Sequence, residues 1–145
     1  MNIYLDTCCY GRPCDDPTQI KIAIETAAIK GIIDTCRIAG HCIVGSMAVT
    51  SEIEENRDAY KQKKTRAFFD SVMNVYVTTN DDARAQALQA EGLKRMDSYH
   101  LMFAEIANAD VLLTTDKDFI RICARKKISV VRVINPLNFI QEVIN

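Results

Sequence analysis

The sequence predicts an α/β protein, a three-layer α/β/α sandwich with a central parallel sheet. Short apolar runs typical of strands alternate along the chain with longer segments whose apolar residues recur at helical spacing. Right-handed crossovers between such strands place helices on both faces of the sheet. Acidic residues follow two of the strands, at the edge where sheets of this kind bind ligands.

The chain opens with a predicted strand and a long helix. Residues 2–5 form a short apolar run that ends at Asp6, because the turn-rich stretch CCYGRPCDDP cannot continue a strand. From residue 18 to about residue 38 apolar side chains recur near helical spacing, and Thr18 or Asp16 is available as the N-cap. The first loop therefore separates Asp6 from this helix.

A second strand and two helices follow. Residues 41–44 are a brief apolar strand, and the stretch after them places Glu52 on the inward face of a helix. The charged segment after Asn56 predicts a further helix that turns its lysines and arginines to water. The residues that this helix is predicted to turn inward are Tyr60, Ala67 and Phe68.

The third predicted strand, residues 74–77, leads into an alanine-rich helix. Thr79 or Asn80 is its predicted N-cap, and Gly92 is placed to end it in the left-handed conformation. The next helix begins near Met96 and carries Asp97 in its first turn, on the packed face. An acid at that position also complements the helix dipole.

Two more strands complete the predicted sheet. Residues 110–113 are a fully apolar strand that ends before Asp116, and residues 128–133 are rich in β-branched side chains. Asn135 and Pro136 have the chemistry of a cap and a first helical residue. The terminal helix is predicted to turn inward Leu137, Ile140 and Ile144.

Composition limits the classes of protein. The 145 residues, 48% of them hydrophobic, suffice for one buried core, so residues 1–145 are expected to form a single domain. The 18 basic and 19 acidic side chains leave a formal net charge of -1. A nucleic-acid partner therefore requires a local basic patch, because no global positive field attracts polyanions.

The sequence predicts a cytoplasmic protein with no membrane partner. The N-terminal segment lacks the basic leader and apolar run of a signal peptide, and no segment approaches the roughly 20 apolar residues of a membrane span. The six cysteines are expected to be reduced thiols, because a chain of this length folds without disulfides. A zinc alternative lacks paired CxxC units at zinc-finger spacing. Its ligands would come from Cys8, Cys9, Cys14, His41 and Cys42.

Four acidic residues are expected to meet at one edge of the sheet, namely Asp6, Glu52, Asp97 and Asp116. Crowded carboxylates stay ionised only when a cation neutralises them. Oxygen ligands without imidazole or thiolate favour Mg²⁺ or Mn²⁺ over zinc. Each acid alone could equally cap a helix or pair with a basic neighbour, as Glu52 could with Arg57. The four together predict a metal site.

Three further polar residues lie near these acids in sequence. Asp118 is either a fifth ligand or a first-turn helix acid. Glu54 is expected to face solvent, because an i+2 neighbour of Glu52 points away from it. His100 is interpreted as a structural hydrogen-bonding residue and is given no catalytic role.

At these residues the sequence resembles the PIN-domain nucleases, which include the VapC toxins of toxin–antitoxin pairs. YLDT matches the family's first acid at Asp6, and VTSEIE matches the second at Glu52. The block MDSYHLMFAEIANADVLLTTDKDF matches the third and fourth at Asp97 and Asp116, and is the most specific signal. The chain departs from the family at Cys8, where Asn or Ser is usual, and in its longer loop YGRPCDDP. It therefore resembles an uncharacterised branch.

The resemblance implies a metal-dependent endoribonuclease, a hydrolase in which metal-bound water attacks an RNA phosphodiester. The implied Mg²⁺ or Mn²⁺ ligands, which are also the catalytic residues, are Asp6, Glu52, Asp97 and Asp116, with Asp118 as a second-tier ligand. Candidate phosphate contacts of the RNA substrate, from their proximity in sequence, are Arg12, Lys117 and Arg121.

The resemblance also implies an antitoxin protein as partner and a homodimer. The apolar side chains of Phe68, Phe69 and Val72 exceed what one helix need bury and favour the homodimer. The alternative is a PIN-like module that binds RNA or protein but has lost turnover through changes such as Cys8. A phosphatase of the haloacid dehalogenase type needs a second aspartate at position 8, and is therefore disfavoured.

Overall fold

A computed structural model describes residues 1–144 of the chain. Within them one sheet has five strands, β1 (Asn2–Leu5), β2 (Cys42–Ser46), β3 (Val75–Val77), β4 (Val111–Leu113) and β5 (Arg132–Ile134). All neighbouring strands run parallel, in the order β3-β2-β1-β4-β5.

Helices connect the strands and cover both faces of the sheet. They are α1 (Thr7–Gly11), α2 (Ile20–Ala39), α3 (Met47–Glu55), α4 (Ala59–Val72), α5 (Asp82–Ala90), α6 (Arg95–Ile106), α7 (Lys117–Lys126) and α8 (Pro136–Ile144). A short 3-10 turn, Arg12–Cys14, follows α1. The predicted three-layer α/β/α sandwich with a central parallel sheet is confirmed. None of the helices in residues 1–144 is both long and apolar enough to cross a membrane.

The strand order creates a crevice beside β1. This central strand pairs with β2 on one side and with β4 on the other. The chain passes from β1 towards β2 on one side of the sheet and from β4 towards β5 on the other. The loops that follow β1 and β4 therefore diverge and leave a crevice between them. Leu5 at the end of β1 is in register with Leu113 at the end of β4. The acids that follow these two strands are consequently brought to the same crevice.

The central strands of the sheet are buried on both faces, which explains their apolar side chains. In β1 the side chains of Ile3, Tyr4 and Leu5 are at most 1% exposed. In β2 the aromatic ring of Phe69 packs directly over Gly45, where an added Cβ would lie 2.5 Å from the Cζ atom. The glycine is required by this close approach and not by the backbone conformation of the strand.

Two predicted N-caps are wrong. Helix α2 is preceded by Gln19, because Asp16 accepts the backbone N–H of Thr18 at 3.0 Å in a turn that ends before the helix starts. Helix α5 is capped by Asp81, which accepts the backbone N–H of Arg84 at 3.1 Å. The predicted left-handed Gly92 is confirmed, with φ of 112°.

Two predicted inward faces are only partly right: Phe68 and Ile140 pack against the core, but their predicted companions do not. Tyr60 is 72% exposed in the first turn of α4, with Lys64 stacked on its ring, and Ala67 is exposed as well. The face of α4 that reaches the core carries Thr65, Phe69 and Val72. In α8 the core contact is made by Pro136 and Phe139, whereas Leu137 and Ile144 are 36% and 71% exposed. Because each of these helices has apolar residues on both sides, the sequence did not show which side faces the core.

Candidate metal centre

A cavity of about 420 Å³ lies at the carboxyl edge of the sheet. Its lining includes all four predicted acids, Asp6, Glu52, Asp97 and Asp116. They come from the end of β1, the middle of α3, the first turn of α6 and the start of α7. The structure therefore brings together residues that are separated by up to 110 positions in sequence.

Asp6 is held by hydrogen bonds on both carboxylate oxygens. Its Oδ1 accepts the backbone N–H of Thr7 at 2.7 Å, so Asp6 is also the N-cap of α1. Its Oδ2 accepts the hydroxyl of Thr114 at 2.7 Å and, more weakly, the thiol of Cys8 at 3.5 Å. Thr114 therefore supplies the stronger polar contact to Asp6 Oδ2, and Cys8 the weaker.

Glu52 is bonded to the histidine of α6. Its Oε1 accepts the hydroxyl of Thr7 at 2.7 Å and is hydrogen-bonded to Nε2 of His100. Burial raises the pKa of Glu52, but the hydrogen bond and positive charge of His100 outweigh it and lower the pKa overall. The alternative pairing with Arg57 is not formed.

His100, which the sequence analysis interpreted as a structural hydrogen-bonding residue, makes its hydrogen bonds within the site. The residue is 0% exposed, and its Nε2 lies 3.3 Å from Oδ1 of Asp6. Burial by itself lowers the pKa of His100, but the carboxylates of Asp6 and Glu52 outweigh burial and raise it. The spacing of three residues from Asp97, which puts both on one face of α6, was the signal available in the sequence.

Asp97 differs from the other acids because it lacks a hydrogen-bond donor within residues 1–144. It is the third residue of α6, whose N-cap position is held by Lys94 without a side-chain cap. Burial, together with the negative charges of Asp6 and Asp116, raises the pKa of Asp97 to about 7. The carboxylate is thus half-buried among like charges and is not explained by a capping role.

Asp116 combines a structural contact with an open oxygen. Its Oδ1 accepts the backbone N–H groups of Asp118 and Phe119 at 2.9 and 3.3 Å, as the N-cap of α7. Its Oδ2 lies 3.8 Å from Nζ of Lys94, which is mostly exposed. The hydroxyl of Thr114 accepts the backbone N–H of Asp116 at 3.1 Å and so links the ends of β1 and β4.

The ligand atoms that the site offers fit a divalent cation that prefers oxygen. The carboxylate of Asp97 and Oε2 of Glu52 have no hydrogen bond in the part of the chain described, and the Asp116 Oδ2 atom has only a distant lysine. The ligand atoms of Asp6, Glu52 and His100 lie within 4.8 Å of one another. Because Nε2 of His100 already contacts two carboxylates, we assign the histidine to orientation and the oxygens to the cation.

Basic side chains border the cavity, and they are partly neutralised. The guanidinium of Arg12 donates to Glu25 at 3.1 Å, to Asp15 at 2.8 Å and to Thr115 at 3.2 Å. Lys61 of α4, which sequence analysis assigned to the solvent face, also pairs with Asp15. Arg12 and Lys61 thus face the cavity, although both are paired with Asp15.

Asp118, Lys117 and Arg121 do not line the acidic cavity. Asp118 is 58% exposed and accepts a hydrogen bond from Arg121 at 2.9 Å. Lys117 and Arg121 line a separate, largely apolar depression against α2 and α8. Their assignment as phosphate contacts, and that of Asp118 as a metal ligand, stay predictions.

The cysteines of the zinc alternative are free thiols. In residues 1–144 the one group of histidine, cysteine and acidic side chains with metal-like spacing is Asp6, Glu52 and His100. None of the five residues proposed for zinc belongs to that group, and neither do Asp97 and Asp116.

The sequence matches no family model and no curated protein sequence. The structure does resemble a chain in the crystal structure of VapBC2 from Rickettsia felis bound to a DNA fragment from their promoter. The TM-score is 0.61 at 15% sequence identity, and the match covers 93% of this chain and 98% of that one. At this identity the likeness establishes the fold alone. The chain has a VapC-like PIN fold, as its sequence motifs implied.

Proposed function

We propose that this protein is an endoribonuclease that depends on Mg²⁺ or Mn²⁺ and hydrolyses RNA phosphodiester bonds. The observation that carries the proposal is Asp97, a half-buried carboxylate with no donor that faces two other acids and has its pKa raised to about 7. Such an arrangement is unfavourable by itself and becomes favourable when a cation binds. The PIN fold and the family's motifs support RNA as the substrate.

The chain's own residues have distinct tasks in this proposal. Asp6, Glu52, Asp97 and Asp116 would hold the cation, and Thr7, Thr114 and His100 orient the carboxylates. A bound divalent cation supplies charge stabilisation to the phosphate and lowers the pKa of a water molecule. Water adds to phosphorus and the P–O3′ bond breaks, so the products are a 5′-phosphate and a 3′-hydroxyl. No side chain forms a covalent bond with the substrate.

We propose that the RNA backbone enters along the rim that carries Arg12 and Lys61. Both basic groups are bound to Asp15 in the free protein, and a phosphate would compete with that carboxylate. If phosphate displaces Asp15, the two groups become a local basic surface on a chain with net charge -1.

We propose an antitoxin-like protein as the partner. Helix α2 exposes an apolar stripe in its first turns, where Ile20 and Ile24 are 76% and 45% exposed. The stripe adjoins the depression bordered by Lys21, Lys117 and Arg121. An apolar face of this kind with a basic border suits a protein segment that carries apolar and acidic side chains. Ile24→Lys should abolish the complex with an antitoxin encoded beside this chain and leave RNA cleavage intact.

The homodimer also stays a proposal. It keeps the support of the family resemblance but loses that of two apolar side chains. Phe69 and Val72 are 0% and 5% exposed within a single chain, so they offer no surface to a second copy. Sedimentation at micromolar concentration tests it directly, and a monomer would remove it.

The decisive experiment for the proposed activity is RNA cleavage by the purified protein with Mg²⁺, with Mn²⁺ and with chelator. Asp6→Asn, Glu52→Gln, Asp97→Asn and Asp116→Asn should each abolish cleavage, because each removes a ligand charge at nearly constant volume. A double variant should be scarcely worse than either single one, since the ligands act as a unit.

Glu54→Gln is the matched control. Glu54 is on the same helix as Glu52, but its side chain is 70% exposed and lies 3.8 Å from Arg66. Its neutralisation should leave activity near that of the wild type. If the four ligand variants still cut RNA, the metal centre as drawn is wrong. If the wild type binds RNA but never cuts it, the binding-module alternative is favoured instead.

A further inference from the structure

A line of buried polar side chains runs through the core to the candidate metal centre. Its members are Tyr4 in β1, Ser46 at the end of β2 and His100 in α6, all 0% exposed. The hydroxyl oxygen of Tyr4 lies 2.6 Å from Oγ of Ser46 and 2.7 Å from Nδ1 of His100. On the other side of the imidazole, Nε2 is hydrogen-bonded to Glu52. The line thus joins the middle of the sheet to one of the four acids.

The direction of these hydrogen bonds depends on the charge of His100. The backbone N–H of Ala48 donates to Oγ of Ser46 at 3.2 Å, so the Ser46 hydroxyl is free to donate to Tyr4. Tyr4 then donates to Nδ1 of His100, which leaves the proton of the neutral imidazole on Nε2. In the imidazolium form both nitrogens carry protons, so Nδ1–H donates to the Tyr4 hydroxyl, which in turn donates to Ser46. In either form Nε2–H donates to Glu52.

Burial of a tyrosine in this core does not by itself require such partners. Tyr10 is also 0% exposed, and within residues 1–144 its hydroxyl has no hydrogen-bond partner. Tyr4, by contrast, has two partners, and both belong to the line that ends at Glu52. The pairing of Tyr4 is therefore a specific feature of the site.

We propose that Tyr4, Ser46 and His100 are positioning residues that hold the Glu52 carboxylate ready for a divalent cation. Glu52 is a flexible side chain that would otherwise lose rotamer freedom when it binds. Its Oε1 is anchored by Thr7 and His100, and its Oε2 has no hydrogen bond in the described part of the chain. The anchored oxygen fixes the orientation of the free one. This inference rests on the proposed metal centre.

The test measures Mn²⁺ binding to the full chain by titration calorimetry, with no RNA present. Tyr4→Phe keeps the ring and removes only the hydroxyl, so it should raise the Kd for Mn²⁺ about tenfold, as is typical when such supporting groups are lost. Tyr10→Phe is the matched control, because it removes an equally buried hydroxyl that has no partner. Its Kd should equal that of the wild type.

A pair of substitutions at His100 provides a second measurement that does not depend on Tyr4→Phe being folded. The amide of His100→Gln can still donate to Glu52, whereas His100→Leu cannot. The glutamine variant should keep Mn²⁺ affinity close to that of the wild type, and the leucine variant should lose about tenfold or more. Circular dichroism confirms that each variant compared is folded.

The outcomes separate this inference from the proposal on which it rests. Equal Mn²⁺ affinity in wild type and Tyr4→Phe overturns the positioning role while leaving the metal centre in place. A loss in His100→Gln as large as in His100→Leu identifies the imidazole as a direct ligand and also overturns it. If the wild type binds no Mn²⁺, the metal centre and the inference fail together.

Discussion

Asp97→Asn should make the metal-free protein more stable, although the substitution removes an acid from the first turn of a helix. In the folded chain burial and the charges of Asp6 and Asp116 raise the pKa of Asp97 from 3.8 to about 7. At about 1.4 kcal/mol per pKa unit, the ionised carboxylate costs up to about 4 kcal/mol of stability. Partial exposure to solvent reduces this to about 1 to 2 kcal/mol.

The expected result is a higher Tm for Asp97→Asn than for the wild type in chelator at pH 8. For a chain of this size about 1 to 2 kcal/mol corresponds to roughly 3 to 8 °C. The size of this advantage depends on pH, because the pKa of folded Asp97 lies above its unfolded value. The advantage of the variant should be absent below pH 4, grow between pH 4 and pH 7, and stay constant above pH 7.

Asp118→Asn is the matched control for the dipole effect. Asp118 also lies in the first turn of a helix, but it is 58% exposed and paired with Arg121. Its neutralisation should leave the Tm unchanged or lower it slightly. Added Mg²⁺ should reverse the order of wild type and Asp97→Asn, because only the wild type gains binding energy. A lower Tm for Asp97→Asn in chelator would refute the argument and restore the capping role.

Further predictions concern Asp116, Gly45 and Lys61. Asp116→Ala should lose about 1 kcal/mol in chemical denaturation because α7 loses its cap, whereas Asp116→Asn keeps the cap and loses only metal binding. Gly45→Ala should cost about 1 to 3 kcal/mol, because the new methyl group meets the ring of Phe69. Lys61→Glu should weaken RNA binding and flatten its salt dependence, whereas Lys63→Glu, on the exposed side of α4, should have little effect.

The architecture could be predicted from the sequence because the pattern within each segment and the alternation of segments along the chain indicate the same fold. Buried strands of a parallel sheet are apolar on both faces, so their runs stand out against amphipathic helices. Boundaries were less secure where side chains form a turn of their own before a helix, as Asp16 does with Thr18 before α2. The predicted inward face of α4 was displaced around the helix. Phe68 and Phe69 are neighbours there, and only tertiary packing decides which one is fully buried.

The candidate site was only partly readable. Asp6, Asp97 and Asp116 stand at strand ends or helix starts, and Glu52 lies on the inward face of a helix, positions that the sequence marks clearly. Tyr4 and Ser46 come from strand interiors and look like ordinary core residues, so their contact with His100 emerges only when β1, β2 and α6 are packed together. Lys61 belongs to a helix rich in charge, and its pairing with Asp15 depends on a loop whose course no periodicity defines.

The capping and metal-binding interpretations of the acids turn out to be compatible. Asp6 and Asp116 each use Oδ1 to accept backbone N–H groups at the start of a helix, which fixes the carboxylate at the carboxyl end of its strand. Their other oxygens are left for side chains or a cation. Asp97 has no such structural contact, and burial among like charges makes it a liability without metal. A fold that keeps this residue therefore gains from it only when a cation is bound, which is why Asp97 decides between the two interpretations.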